Sequence, residues 1–211
     1  MHKTLIIGAS GQIGKQVTQH MLDGGHFVVA LVRDKDKLSD VDGNTMSIVE
    51  ADLKNDFSHA FEGCSSVIFA AGSGPDTGAD QTLLIDLWAA CRAVDYAEQH
   101  GIEHFIMLSS VGADKPSAGP EKMQPYLVAK HMADEHLLRS KLRYSILRPG
   151  ALNNDKALGK YTTQQPQDQN EAKITRADVA TALVYLAGDL QPKNRLQELF
   201  NGQQNLTEVL K

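Results

Sequence analysis

Short apolar runs and longer amphipathic stretches alternate along the chain. Thr4-Leu5-Ile6-Ile7 reads as a buried strand, followed by a glycine turn and a helix over about residues 12–22. Residues 27–32 (Phe-Val-Val-Ala-Leu-Val) predict a second strand, 46–50 a shorter third, 66–70 a fourth, 104–109 a fifth and 144–147 a sixth. Near-continuous apolar strands separated by helices are what a parallel sheet covered on both faces requires. The longest helix is expected over about residues 80–99. Leu84, Leu87, Trp88, Cys91 and Val94 repeat there at three- and four-residue steps, a stripe for the sheet to bury, and Gly101 stands where such a helix stops. After Pro149 the rhythm loosens. Residues 150–173 read as a long loop or small lobe, then a short helix over 176–187, a strand near 198–200 and a terminal helix. The prediction is one α/β domain, doubly wound, spanning residues 1–211 with a small C-terminal substrate lobe.

Composition narrows the function classes. With 26 acids against 21 bases, a formal charge of −5 and no basic block, the chain is a poor candidate for nucleic acid. No apolar run approaches the roughly 20 residues of a membrane span. The first apolar run, Leu5-Ile6-Ile7, ends at Gly8, too short for a secretory signal, so a cytoplasmic protein is expected. Cys64 and Cys91 form no CxxC pair and read as reduced thiols. Gly101 separates His100 from His104, and His131 and His136 fall on different helical faces, so no metal site is expected.

Candidate chemistry begins directly after the first strand, at Gly8-Ala9-Ser10-Gly11-Gln12-Ile13-Gly14. The spacing is GxxGxxG, a variant of the GxGxxG dinucleotide fingerprint of the Rossmann fold. Gly8 permits a tight turn, Gly11 lets the backbone approach a pyrophosphate, and Gly14 lets helix pack closely on strand. The N–H groups of Gln12 and Ile13 at the helix N-terminus then face the phosphates, where the helix dipole favours negative charge. At the end of the second strand stands Val32-Arg33-Asp34. An arginine there suits the 2′-phosphate of NADP and an acid suits the ribose hydroxyls of NAD. Arg33, with a hydroxyl contact from Ser10, favours NADP(H), while Asp34 keeps NAD(H) open.

Beyond the fifth strand come Ser109-Ser110 and, sixteen residues past Ser110, Tyr126-Leu127-Val128-Ala129-Lys130. Tyr126 and Lys130 are one helical turn apart on one face. A phenol titrating near 10 is a sluggish acid or base at neutral pH, and a neighbouring ammonium lowers that value. Lys130 is also placed to bond a nicotinamide ribose, and a serine hydroxyl opposite to hold the group being converted.

Together these features resemble the short-chain dehydrogenase/reductase superfamily over nearly the whole chain, in its extended and atypical branches. Asp52-Leu53 after the third strand matches the family's adenine contact, Ala70-Ala71-Gly72 after the fourth its ribose-lining segment, and Leu147-Arg148-Pro149-Gly150 its LRPG segment beside the nicotinamide. Ile174-Thr175-Arg176-Ala177-Asp178-Val179-Ala180 looks like its later I-x-x-x-DVA segment, read as structural. The resemblance implies Tyr126 as acid/base, Lys130 as its modulator and ribose contact, and Ser110, rather than Ser109, as the substrate's hydroxyl partner. Within the superfamily the chain is most similar to small NAD(P)H-binding proteins often labelled epimerase/dehydratase, which include NmrA-like regulators and biliverdin/flavin reductases. It departs from sugar-nucleotide epimerases in having only about 60 residues after Pro149, little room to grip a nucleotide-sugar. The reactive end is expected among Gly72-Ser73-Gly74-Pro75, Ser110-Val111-Gly112 and Gly150 to Asn154, with Asn153 and Asn154 as candidate polar contacts.

Three functions follow from this: NADP-dependent reduction of a small carbonyl or quinone-like compound through Tyr126; a flavin or biliverdin reductase that needs no Tyr–Lys pair; and an NADP(H) redox sensor without catalysis. A small-molecule partner is expected, in a monomer or in a homodimer paired through the long helix and the helix around Tyr126. The outer faces of those helices read as polar enough for a monomer.

Overall fold

The computed structural model describes residues 2–41, 43–74, 76–168, 170–189 and 191–210. Eight strands form one sheet in the order β3-β2-β1-β4-β5-β6-β10-β8. They are β1 (Lys3–Ile7), β2 (Phe27–Val32), β3 (Met46–Glu50), β4 (Ser66–Phe69), β5 (His104–Leu108), β6 (Arg143–Pro149), β8 (Tyr161–Thr162) and β10 (Arg195–Asn201). All pairings are parallel except that of β10 with the two-residue β8. The doubly wound Rossmann-type reading therefore holds.

Alternation within the apolar strands supplies two cores. Leu5 and Ile7 of β1, with Val67, Phe69, Phe105 and Met107, face α3 (Ala90–Gln99) and α4 (Gln124–Arg139). Ile6, with Ile68, Ile106 and Leu147, faces α1 (Gln12–Asp23) and α5 (Arg176–Ala187). The central strands β1, β2, β4 and β5 are thus covered on both sides, which is why their sequences read as unbroken apolar runs.

The long helix departs from its predicted face. A short α2 (Ala79–Gln81) runs into a π-helical segment, Thr82–Ala89, and that into α3. The buried line is Thr82, Asp86, Ala89, Ala90, Ala93, Val94 and Ala97. Of the predicted stripe only Val94 is fully buried; Leu84 is 38% and Trp88 55% exposed. Two physical causes combine. Alanines let the helix close tightly on the sheet, and the i→i+5 bonding of a π turn breaks the 3.6-residue period from which the stripe was read. The outer face is correspondingly not polar: Leu83, Leu84 and Trp88 are exposed there, as are Val128 and Met132 on α4.

The segment after Pro149 holds more order than a loop. β7 (Ala151–Asn153) pairs in parallel with β9 (Lys173–Thr175), and β8 borders β10. Strands of two or three residues are too short to leave a hydrophobic period. A last helix, α6 (Leu206–Val209), carries a capping box between Asn205 and Glu208. Among the described residues no helix is long and apolar enough to cross a membrane.

Candidate functional site

Between β1 and β4 the strand order reverses, and the carboxyl ends of the two strands open a crevice of the kind in which parallel sheets bind ligands. The glycine turn lies on it. Gly8 has φ +86°, and a Cβ there would stand 2.7 Å from the Cα and N of Ala71. A Cβ on Gly14 would stand 2.1 Å from the Gly8 carbonyl oxygen. Any side chain at either position would push the turn off the sheet. Gly11 caps α1 without a side-chain bond, its own N–H donating to the Gly8 oxygen at 3.0 Å. No acidic side chain occupies the first turn, and the N–H groups of Gln12 and Ile13 have no acceptor among the described residues. A helix start with free donors, beside a turn whose Gly8 and Gly11 carry no side chain, fits the pyrophosphate of a dinucleotide.

At the end of β2 the two candidates for cofactor choice separate. Arg33 is exposed and makes no hydrogen bond or ion pair among the described residues. Asp34 instead accepts from the Asp36 N–H at 3.0 Å, capping the turn Lys35–Leu38. Ser10 is half-buried and leaves its hydroxyl unpaired among those residues. After β3, Asp52 accepts from the Lys54 N–H at 3.0 Å, while Leu53 packs into the core. Arg92 of α3 pins this turn: Nη2 donates to the Asn55 oxygen at 2.6 Å and to Tyr96 Oη at 2.7 Å, and the guanidinium stacks 5.2 Å from the Phe57 ring.

Lys130 is 4% exposed, inside the molecule at the carboxyl end of β5. Its Nζ donates to the Leu108 oxygen at 3.1 Å and stands 5.7 Å from the Tyr126 ring centre. Burial opposes the ammonium, but Tyr126 and Asp86 outweigh it and hold Lys130 above its ordinary value. Tyr126 is half-buried on the same face of α4. Ser110 is half-buried too, its Oγ donating to the Val111 oxygen at 3.2 Å. Ser109 points inward, donating to Asp134 Oδ2 at 2.8 Å. The same oxygen accepts from Arg148 Nε at 2.9 Å and lies 2.9 Å from Nη2 in an ion pair. Burial pushes the Asp134 carboxyl up, against the pull of Ser109 and Arg148. This cluster braces β5, α4 and β6 behind the site.

The sequence reading overlooked Asp86. It is 1% exposed on the π-helical segment, its Oδ1 3.3 Å from Lys130 Nζ and its Oδ2 accepting from the Ser73 N–H at 3.0 Å. The available signal was a lone acid inside the apolar run Leu83-Leu84-Ile85-Asp86-Leu87-Trp88. Through Asp86 the segment Ala70-Ala71-Gly72, which packs on Gly8, is tied to Lys130. The Val111 N–H, bonded to the Pro149 oxygen at 3.1 Å, ties the Ser110 loop to the end of β6. Gly150 follows where a Cβ would lie 2.6 Å from the Ala172 oxygen. Asn153 and Asn154 are engaged within the chain: their Oδ1 atoms accept from the Asp155 N–H (3.1 Å) and Arg176 Nη1 (2.8 Å). Asp178, of the segment read as structural, accepts from the N–H groups of Leu158 and Gly159 and from Thr175, Tyr161 and Asn201, fixing the C-terminal lobe. Pro75 lies outside the described residues.

Comparisons with known proteins place the chain among nicotinamide-nucleotide-binding proteins. A family model described as NAD(P)H-binding matches residues 8–189. An uncharacterised sugar epimerase of Bacillus subtilis strain 168, YhfK, is 36% identical over 99% of this chain and 99% of its own. Among solved structures, a Bacillus halodurans protein provisionally assigned as an NAD-dependent epimerase/dehydratase is 41% identical. It has a TM-score of 0.92 and covers 99% of this chain and 98% of its own. The anaerobillin reductase ChuY of Escherichia coli O157:H7 shares the fold, with a TM-score of 0.77 at 24% identity over 96% of this chain and 98% of its own.

Proposed function

Because the chain belongs to the NAD(P)H-binding family, we propose that it is an NADPH-dependent oxidoreductase that reduces a small carbonyl or quinone-like compound. The observation that carries this reading is the buried Lys130 beside the Tyr126 ring, linked through Asp86 and Gly72 to the glycine turn. When bound, NADPH supplies the hydride that a carbonyl carbon accepts. Tyr126 hands its phenolic proton to the carbonyl oxygen, so that a C–H and an O–H bond replace the C=O π bond. Lys130 orients the nicotinamide ribose, and Ser110 exchanges its local bond to the Val111 oxygen for the substrate oxygen. The glycine turn and the N–H groups of Gln12 and Ile13 hold the pyrophosphate. Asp52 and Leu53 would border the adenine, and Ala70, Ala71 and Gly72 the ribose. Pro149 and Gly150 would border the nicotinamide. The unpaired Arg33 supports NADPH over NADH, since Asp34 is engaged as a cap.

Reduction of a flavin or tetrapyrrole, which needs no tyrosine, is the second reading. It is favoured by the carboxylate that offsets the Lys130 charge. The test combines calorimetric titration with NADPH and NADH and turnover of a panel of carbonyls and flavins. NADPH is expected to bind tighter, and Arg33→Ala to weaken it by about 10- to 100-fold, the loss of a charged hydrogen bond. Tyr126→Phe is expected to lower carbonyl turnover by roughly 10²- to 10⁴-fold at near-normal NADPH affinity. Undiminished flavin turnover in that variant selects the second reading. NADPH binding without turnover of any acceptor selects a sensor, and failure to bind either nucleotide overturns all three.

A further inference from the structure

β3 is the outermost strand of the eight-stranded sheet and pairs on one side only, with β2. The Val28 N–H donates to the Thr45 oxygen at 3.0 Å and the Ala51 N–H to the Val32 oxygen at 2.9 Å. Odd-numbered residues here therefore turn their backbone groups toward β2, and the even-numbered ones between them turn theirs away. Ile48 and Glu50 present both N–H and C=O outward, with no partner among the described residues. Met46 presents its C=O, while its N–H makes a long bond to the Gly43 oxygen, 3.4 Å. The open row is thus Met46, Ile48 and Glu50, symmetric about Ile48.

Native proteins blunt such edges with lysine, proline or a bulge, because an open row of donors and acceptors is a template for another strand. None of these devices is present. Residues 46–50 read Met-Ser-Ile-Val-Glu and keep an unbroken register with β2. The one charged side chain, Glu50, bends back onto its own molecule, Oε2 accepting from the Lys35 N–H at 3.2 Å. Ile48, at the centre of the row, is 41% exposed.

We propose that β3 is a self-pairing edge, to which a second copy of this chain adds its own β3 antiparallel across a two-fold axis at Ile48. In that register Ile48 exchanges both backbone bonds with the Ile48 of the second copy, and the Met46 oxygen accepts from the second copy's Glu50 N–H. Ser47 lies opposite Val49, the two Ile48 side chains cover each other, and no charge faces a like charge. Unlike the exposed helix face around Trp88, the strand specifies its own partner: its backbone pattern is complementary to itself and to the same residues reversed. The contact is isologous and closes at two copies, with the carboxyl ends of the two sheets pointing in opposite directions. A five-residue seam falls at the low end of interface sizes, below about 1,200 Å², so the dimer is a reversible one. None of this depends on the reductase reading.

Sedimentation velocity of the whole chain over a hundredfold range of concentration tests the pairing. The wild type is expected to pass from monomer to dimer with a midpoint on the order of 100 µM. A protein still monomeric at about five times that concentration overturns the proposal. Ile48→Lys sets two ammonium groups against each other on the axis and is expected to remain monomeric throughout; a dimer that survives it also overturns the proposal. Trp88→Lys, on the exposed helix face, is expected to leave the dimer intact, and dissociation there would move the interface to the helices and sink the assignment. A second readout needs no variant. The amides of Ile48 and Glu50 are open in the monomer, and in NMR hydrogen exchange they are expected to slow by about threefold at the concentrated end of the range. Exchange that is independent of concentration at both amides means that the strand stays unpaired, and the proposal fails.

Discussion

His104 shows how much a single residue can set. It is 3% exposed at the start of β5, with Nε2 2.9 Å from Ser145 Oγ and Nδ1 without a partner among the described residues. Burial pushes it down from 6.5 to about 4. Asp189 opposes that shift weakly and Arg195 assists it. The folded chain thus takes up this proton later than the unfolded chain does. The contribution is fully present above pH 6.5 and is lost as the pH falls toward 4. It amounts to roughly 3 kcal/mol across the window, at about 1.4 kcal/mol per pH unit. Urea unfolding at pH 7 and pH 5 should show a drop about 2 kcal/mol larger in wild type than in His104→Gln. Equal drops would remove His104 as the cause. Residues of this kind divide sharply in how legible they were. Gly8 and Gly14 were readable because their spacing and their place after a strand have one physical use. Asp86 was not, since nothing local to Leu83-Leu84-Ile85-Asp86 says that the acid turns inward toward a lysine 44 positions later. The preference for Ser110 over Ser109 rested on resemblance. In the structure Ser109 is spent on Asp134, which leaves Ser110 as the hydroxyl near the surface.

At the scale of elements, β1, β2, β4 and β5 were legible because burial on both faces writes itself as consecutive apolar residues. The face of the long helix was not. Two candidate stripes share residues 82–97, one of large residues and one of alanines, and hydrophobicity alone prefers the large one. Packing distance prefers the small one, because a helix with alanines inward lies closer to a sheet already filled by Phe69, Phe105 and Met107. The stability consequence is opposite to what the sequence pattern suggests. Trp88→Ala removes a side chain that is mostly in water and should change stability by about 0.5 kcal/mol or less. Val94→Ala should cost roughly 2 kcal/mol through lost burial and a cavity. Chemical denaturation of the two variants checks this, and a reversed order would put Trp88 back in the core.

For the whole molecule, the arrangement that matters is the meeting of both halves of the chain at the carboxyl ends of the strands. Gly8, after β1, lies against Ala71, after β4, and Ser110, Lys130 and Gly150 from the second half gather along the same edge. Only the broad layout of that edge was legible, because a strand order cannot be read from local periodicity, whereas the rule that parallel sheets bind at that edge can be applied without it. The opposite edge has its own consequence. Lys3 begins β1, and Arg195, which begins β10, holds the Leu210 oxygen through Nη1 at 2.7 Å. Both ends of the described chain therefore emerge at the starting edge of the sheet, with the five residues of β1, roughly 16 Å, between them and the crevice. A fluorescent protein joined to either end by a flexible linker should leave NADPH affinity within about twofold, and a larger loss at one end would place that end near the crevice. A head built this way can ride on a scaffold, an anchor or a longer polypeptide with its mouth turned outward, so its cellular address can change by fusion while its chemistry stays the same.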